Sequence, residues 1–152
     1  MLNTQAIEHA KEIGIQKICF ATEDTKENIK KLVETSSLTT CFVVYQNAPL
    51  FTSAGCIRDY DCKSCTQQLE KYELTKDGKK YVAVSHNCQL MLFNDKPLCF
   101  ADEAKEIKAD FYRMDFCYKQ YSSENVKHIV SEVMKFKDIK ECVKANINSQ
   151  KI

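Results

Sequence analysis

The spacing of apolar residues predicts helices that alternate with strands near both ends of the chain. In residues 3–13 the apolar positions repeat with helical spacing, Asn3 can cap the start of the helix, and Gly14 suits the position just past its end. The same reasoning predicts, in order, a strand at 15–20, a helix at 22–35, a strand at 39–45, a short helix at 101–109, a strand at 110–118, and helices at 122–136 and 137–147.

The pattern is different between residues 46 and 100. Pro49, Gly55 and a group of cysteines predict an irregular loop. Asp77-Gly78 then separates two alternating segments, which is a good signal for a β-hairpin. The run "QLMLFNDKPLCF" adds a further strand that ends in a turn at Asn94-Asp95. We therefore expect an inserted cysteine-rich loop and β-hairpin in this part of the chain.

The order of elements predicts an α/β fold. Strands that alternate with helices imply parallel βα units, and about three such units are present. A closed barrel needs eight units and usually ~250 residues, so we expect a partial (β/α) barrel-like parallel sheet that corresponds to the C-terminal part of a larger barrel. A small self-contained α/β sandwich is the alternative that the pattern leaves open.

Composition and charge narrow the class of protein. The 152 residues are 44% hydrophobic and 28% charged, with a formal net charge of +1, so nothing in the overall charge favours nucleic-acid or membrane-surface binding. The N-terminal run lacks the features of a secretory signal, and no apolar run reaches the ~18 residues that span a bilayer. We expect a cytoplasmic protein without membrane contact.

Four of the nine cysteines have a spacing that suggests a metal centre: Cys56-x5-Cys62-x2-Cys65-x22-Cys88. Two ligands two residues apart can wrap one metal ion, and the predicted hairpin can return Cys88 to the loop. Four thiolates suit zinc or an iron–sulfur cluster, and spacing does not separate these two. Arg58, between two of the thiols, would lower their pKa values. The alternative is that the three loop cysteines are separate surface thiols and Cys88 is a core residue.

The odd cysteine count and the expected reducing compartment both argue against a disulfide framework. Five cysteines fall in or near predicted strands and helices, where each is most simply a small buried apolar residue. These are Cys19, Cys41, Cys99, Cys117 and Cys142.

Several runs resemble the peptidase U32 family. The run "VVYQNAPLFTSAGCIRDYDCKSC" resembles the segment in which a barrel strand of that family leads through a proline-containing loop into a cysteine cluster. The run "LTKDGKKYVAVSHNCQLMLFNDKPLCF" is similar to the family's next segment, and "FYRMDF" to the strand after it. The resemblance extends to about residue 136 and covers only the C-terminal part of the family's barrel region.

The resemblance implies a division of the chain and a cofactor. Residues 1–136 would be the C-terminal part of a U32-type barrel domain, with a cysteine-rich insert at 46–100, followed by a C-terminal helix and tail at 137–152. Some members of the family carry a [4Fe–4S] cluster on four cysteines, which here would be Cys56, Cys62, Cys65 and Cys88. Some subgroups have three residues, not two, between the second and third cysteines, so Zn²⁺ stays open as the alternative.

The resemblance also implies a function. Some members are collagenase-like proteases, and others support hydroxylation of tRNA, ribosomal RNA or ubiquinone precursors. We therefore expect a cluster-binding part of an enzyme that modifies RNA or a small aromatic precursor. Arg58 and Arg113 are candidates for binding an anionic group, and each is also explained as a solvated or ion-paired side chain. Asp115 ends a predicted parallel strand, where barrel enzymes carry functional groups, although a capping role explains it equally well.

Two further functions stay open. A U32-type protease has little support, since the chain has no H-E-x-x-H or G-x-S-x-G motif, and a dyad of His86 with Cys88 would exclude Cys88 from a metal site. His86 is otherwise a candidate neighbour of, or substitute for, a metal ligand. A zinc-stapled, non-enzymatic interaction module is the other possibility. Part of a barrel exposes a sheet edge, which predicts that the chain pairs with the missing N-terminal barrel half or forms a homodimer.

Overall fold

The computed structural model of the chain describes residues 3–57, 68–117 and 119–144. Within these ranges the helices are α1 (Thr4–Glu12), α2 (Lys26–Thr35), α3 (Ala101–Ala104) and α4 (Ser123–Met134). The strands there are β1 (Lys17–Cys19), β2 (Thr39–Gln46), β3 (Pro49–Ser53), β4 (Glu70–Lys76), β5 (Lys79–His86), β6 (Gln89–Asn94), β7 (Leu98–Cys99) and β8 (Phe111–Met114). The chain forms two compact units, and the second is inserted into the first with boundaries after Gln46 and after Pro97.

The sheet of the first unit is built around β2. Cys41 on this strand pairs with Cys19 on β1 and with Phe111 on β8, both in parallel orientation, so β1 and β8 lie on opposite edges of β2. β7 pairs antiparallel with the last two residues of β2. The expected mixed α/β class is therefore confirmed and the sheets are not closed, while the barrel-like arrangement stays a prediction.

The helices begin where the sequence provides caps. The side chain of Asn3 accepts a hydrogen bond from the N–H of Ala6 at 2.8 Å, and Thr25 and Ser122 cap α2 and α4 in the same way. Gly14, just past α1, has a φ of 86°, which glycine adopts with little strain. These side chains satisfy N–H groups that a helix start leaves without partners. α1 and α4 begin within one residue of their predicted starts, whereas α2 begins at Lys26, four residues after the predicted start at residue 22, because Thr25 is its cap.

The two faces of the first sheet differ in burial. Ile18 and Phe42 point to the helical side and are buried, and the ring of Phe42 lies 6.1 Å from that of Phe100. The opposite face carries Cys19 and Phe111, which are exposed. The buried core also includes Ile7, Ala10, Ile29, Leu32, Val44, Phe100, Ile107, Ile129 and Val133.

The second unit is an antiparallel sheet in the strand order β3-β6-β5-β4. The predicted hairpin is confirmed: β4 and β5 pair from Glu70–Ser85 to Lys76–Lys79, and Asp77-Gly78 forms the turn. A second two-residue turn, Asn87-Cys88, joins β5 to β6.

Near the C-terminus the structure corrects the predictions. The helix expected at 137–147 is wrong over its described part, 137–144, which is not helical. Val143 instead forms a parallel bridge with Leu98, and the N–H of Cys99 donates to the Val143 carbonyl at 3.2 Å. This segment contributes backbone to the edge of β7, which explains why helical spacing did not decide its structure. No helix in the described part of the chain is both long and apolar enough to cross a membrane.

Candidate functional site

The turn that carries Cys88 has an unusual composition. Asn87 and Cys88 have φ values of 49° and 59°, and they join His86 to its ladder partner Gln89. A two-residue turn with positive φ at both positions is of type I′, for which Asn-Gly is the favoured sequence. Cysteine thus occupies the glycine position, where a side chain costs ~1–2 kcal/mol. A residue found at such a position is a candidate for a role other than folding.

The strand register brings Cys56 and Cys88 to the same end of the second sheet. Ser53, the last residue of β3, pairs with Leu90, near the start of the antiparallel β6. Cys56 follows Ser53 by three residues, and Cys88 precedes Leu90 by two. Both cysteines are exposed, so the alternative in which Cys88 is a core residue is wrong.

The chain leaves and re-enters the second sheet at this same end. Glu70, the first residue of β4, pairs with Ser85, next to the turn that contains Cys88. Cys62 and Cys65 lie in sequence between the exit and the return, as does Arg58, and all three are outside the described residues. Within the described ranges no group of three or more His, Cys, Asp or Glu side chains is arranged to hold a metal ion, and only two of the four predicted ligands belong to those ranges. His86 is exposed at the end of β5, beside the turn.

Arg113 and Asp115 are brought together in the first unit. The guanidinium of Arg113 donates to the Asp115 carboxylate at 2.8 Å, and the Asp115 N–H donates to the Tyr45 carbonyl at 2.8 Å. Asp115 directly follows β8, and its side chain is 20% exposed, whereas that of Arg113 is 57% exposed. Arg113 is therefore ion-paired yet accessible to an anion, and Asp115 caps the end of a parallel strand.

Cys117 lies beside Arg113 and Asp115, although the sequence did not identify it as a site residue. It is exposed, although we expected it to be buried, and its N–H donates to the Asp115 carboxylate at 3.0 Å. Hydrogen bonds from the Cys117 thiol and N–H, together with Arg113, hold the pKa of Asp115 below its usual value. The same carboxylate raises the pKa of the Cys117 thiol. The strand predicted at 110–118 ends at Met114, and this early end leaves Cys117 outside the sheet.

Cys19 and Cys41 form a second group that the sequence did not reveal. They are direct partners in the ladder between β1 and β2, and Cys19 is exposed while Cys41 is half-buried. Burial and a hydrogen bond with the Cys19 thiol raise the pKa of Cys41 to about 11, against a smaller opposing effect of Arg113. The sequence did contain a signal for the exposure of Cys19. Charged Lys17 and apolar Ile18 alternate along β1, so Cys19 lies on the same exposed side of the strand as Lys17.

Five cysteines outside the predicted metal centre were expected to be buried core residues. Of these five, only Cys99 is fully buried. Its thiol hydrogen-bonds to that of Cys142, which lowers the pKa of Cys99 and raises that of Cys142. Cys142 is half-buried in a turn, not in the predicted helix. These two thiols join β7 to the C-terminal segment.

The predicted site residues thus form two sets, each within its own unit: Cys56, His86 and Cys88 at one end of the second sheet, and Arg113 and Asp115 after β8 of the first. Comparison of the chain with protein families, with curated proteins and with solved structures found no match in any of the three.

Proposed function

We propose that this chain is the cluster-binding part of a U32 peptidase-like enzyme and that it supports a hydroxylation-type modification of RNA or a small aromatic precursor. The observation that carries the proposal is the position of Cys88. Cys88 occupies a turn position at which a type I′ turn favours glycine. It also lies at the same end of the second sheet as Cys56. Cys62 and Cys65 lie between Cys56 and the returning strand in the sequence, which supports a common centre for the four sulfurs.

The donor set fits an iron–sulfur cluster. Such clusters are held by four cysteine thiolates, and exposed thiols at a sheet end are accessible for assembly. When bound, a [4Fe–4S] cluster would supply electrons for the modification. The resemblance to the U32 family favours iron–sulfur over zinc, whereas thiolate chemistry alone accepts either.

The proposed substrate contacts come from arginines. Arg113 has an exposed guanidinium held by Asp115 in a defined orientation, which suits a phosphate or carboxylate on the substrate. Arg58, within the cysteine-rich segment, is proposed for the same role on the basis of its charge and its position in the sequence. A cytoplasmic location is part of this proposal, since reduced thiols and iron–sulfur assembly both suit a reducing compartment.

The experiment is the colour and metal content of full-length protein purified without oxygen. A brown solution that absorbs at ~400 nm, with iron and sulfide bound, is the expected result. Colourless protein with one zinc per chain after anaerobic purification and attempted reconstitution with iron and sulfide would instead support the zinc-stapled module. Protein that binds neither metal, with one hyper-reactive thiol at Cys88, would contradict the proposal and favour the protease.

We further propose a partner at the edges of the first sheet. Among the described strands, β1 and β8 each pair only with β2, so each has one edge without a strand neighbour. Unpaired edges of this kind are templates for another strand. The N-terminal half of a U32-type barrel or a second copy of this chain would supply it.

A further inference from the structure

The ladder between β1 and β2 puts two thiols directly opposite each other. Cys19 and Cys41 are Cα partners, and the hydrogen bond from the Phe20 N–H to the Cys41 carbonyl at 3.0 Å continues the ladder past them. Partner residues in a ladder point to the same face of the sheet. Neighbouring strands lie ~4.8 Å apart, which is inside the ~4.4–6.8 Å range of Cα separations that a disulfide accepts.

The two thiols differ in access. Cys19 is the last residue of β1 and is exposed, whereas Cys41 is half-buried in the middle strand. Burial and the neighbouring Cys19 keep Cys41 protonated at neutral pH, since they raise its pKa to about 11. An oxidant from solution therefore meets Cys19 first, and Cys41 is held beside it as the resolving thiol.

We propose that Cys19 and Cys41 are a dithiol modification site, oxidised by peroxides to a reversible disulfide that joins β1 to β2. In the first step the Cys19 thiolate attacks one oxygen of hydrogen peroxide, the O–O bond breaks, and Cys19 becomes a sulfenic acid. The departing hydroxide takes up the proton that the Cys19 thiol released and leaves as water. In the second step the Cys41 sulfur displaces the sulfenic oxygen, which leaves with two protons as a second water molecule. The two thiols lose two electrons, and the peroxide gains them.

The position of the pair makes the disulfide reducible. A link between direct ladder partners lies near the short end of the accepted Cα range, and an exposed sulfur is open to attack by a thiol reductant. Intracellular disulfides of this kind are usually transient. The proposal is independent of the metal centre, because neither Cys19 nor Cys41 is among the four predicted ligands.

The test uses the full chain, treated with hydrogen peroxide, alkylated, and digested without reduction. Trypsin releases Cys19 in residues 18–26, and chymotrypsin separates Cys41 from Cys56 by cleavage after Phe42. Mass spectrometry should find the peptide of Cys19 linked to that of Cys41 as the main product of oxidation, and dithiothreitol should release it. Links from Cys19 mainly to other cysteines, or oxidation of other thiols while Cys19 and Cys41 stay reduced, would overturn the proposal.

Two variants separate the roles of the thiols. In Cys41→Ser the sulfenic acid on Cys19 has no resolving partner, so trapping by dimedone should increase several-fold over the unsubstituted chain. Cys117→Ser removes another exposed thiol of the first unit and should leave the Cys19–Cys41 link unchanged. Equal dimedone labelling of Cys19 with and without Cys41 would contradict the resolving role, and far-ultraviolet circular dichroism checks that each variant is folded.

Discussion

The carboxylate of Asp110 accepts hydrogen bonds from both the N–H and the hydroxyl of Thr40, at 2.7 and 2.8 Å, across seventy residues of sequence. In return, the N–H of Asp110 donates to the Thr40 hydroxyl at 3.1 Å. Thr40 is buried, so its hydroxyl needs these partners. The pair joins the residue before β8 to the start of β2 and so contributes to the parallel register of the two strands.

This relationship predicts part of the acid sensitivity of the fold. Hydrogen bonds from the Thr40 N–H and hydroxyl lower the pKa of Asp110. A lowered carboxyl pKa contributes stability above its unfolded value of ~3.9, and this contribution is lost as the pH falls through the folded-state pKa. Asp110→Asn should therefore reduce stability at pH 7 and flatten its decline in acid, as measured by urea unfolding from neutral to acidic pH. An unchanged slope would contradict this prediction.

Lys144 should hold the C-terminal segment against α3, which carries Glu103. Its ammonium binds the Glu103 carboxylate at 2.5 Å, and also that of Asp138, and Glu103 is nearly buried. Lys144→Met should cost about 1–2 kcal/mol, less than a fully buried pair, because the lysine side chain is 36% exposed. Thermal unfolding measures the change, and Lys135→Met, which removes a surface pair of α4, is the control with a smaller expected loss.

The same ion pairs predict a loss of stability in alkali. Burial lowers the pKa of Lys144, but Asp138 and Glu103 outweigh this effect and raise it. The contribution of Lys144 is therefore fully present below the ordinary lysine pKa of ~10.4 and is lost as the pH rises through the higher folded-state value. If Lys144→Met and the unsubstituted chain lose stability equally above this pH, the ion pairs do not stabilise the segment.

The two faces of the first sheet should respond differently to truncation. Phe42 is fully buried, so Phe42→Ala should cost ~3–5 kcal/mol in the free energy of unfolding. Phe111→Ala, in the partner strand but on the opposite face and 54% exposed, should cost less than ~1 kcal/mol. Denaturant unfolding of both variants tests the assignment of faces, and equal losses would contradict it.

The two type I′ turns offer a matched test of Cys88. Cys88→Gly should stabilise the metal-free protein by about 0.5–1 kcal/mol, because relief of the left-handed backbone exceeds the added entropy of the unfolded chain. The same change should abolish iron binding. Gly78→Cys introduces cysteine at the equivalent turn position, where a Cβ meets no atom within 4 Å, and should lower stability with iron binding retained. Iron content unchanged in Cys88→Gly would remove Cys88 from the ligand set, whatever its effect on folding.

The open edges of the first sheet predict self-association or a requirement for a second chain. Light scattering coupled to size-exclusion chromatography of the full chain should find a dimer or larger species, because β1 and β8 each have an unpaired edge among the described strands. Addition of a charge at an exposed position of the edge strand, as in Phe111→Glu, should weaken the association. A well-folded monomer at high concentration would contradict the prediction.

Local signals in the sequence were sufficient for most elements. The caps at Asn3 and Ser122 and the Asp77-Gly78 turn act through contacts between near neighbours, so the local pattern of residues is enough to predict these elements. The mixed α/β class followed from their order. The segment after α4 is different, because its backbone bonds to β7 and this distant partner decides its conformation.

The sequence by itself determined which residues could act as ligands: the spacing of Cys56, Cys62, Cys65 and Cys88 is a property of the chain alone. Only the tertiary structure decided which of the described thiols lie close together in space. The pairing of Cys19 with Cys41, and the position of Cys56 and Cys88 at the same end of the second sheet, depend on strand register. Hydrophobic alternation disfavours a one-residue slip, because such a slip moves every side chain to the other face, but it does not identify the partner strand. The partner is decided by packing between strands that are far apart in sequence.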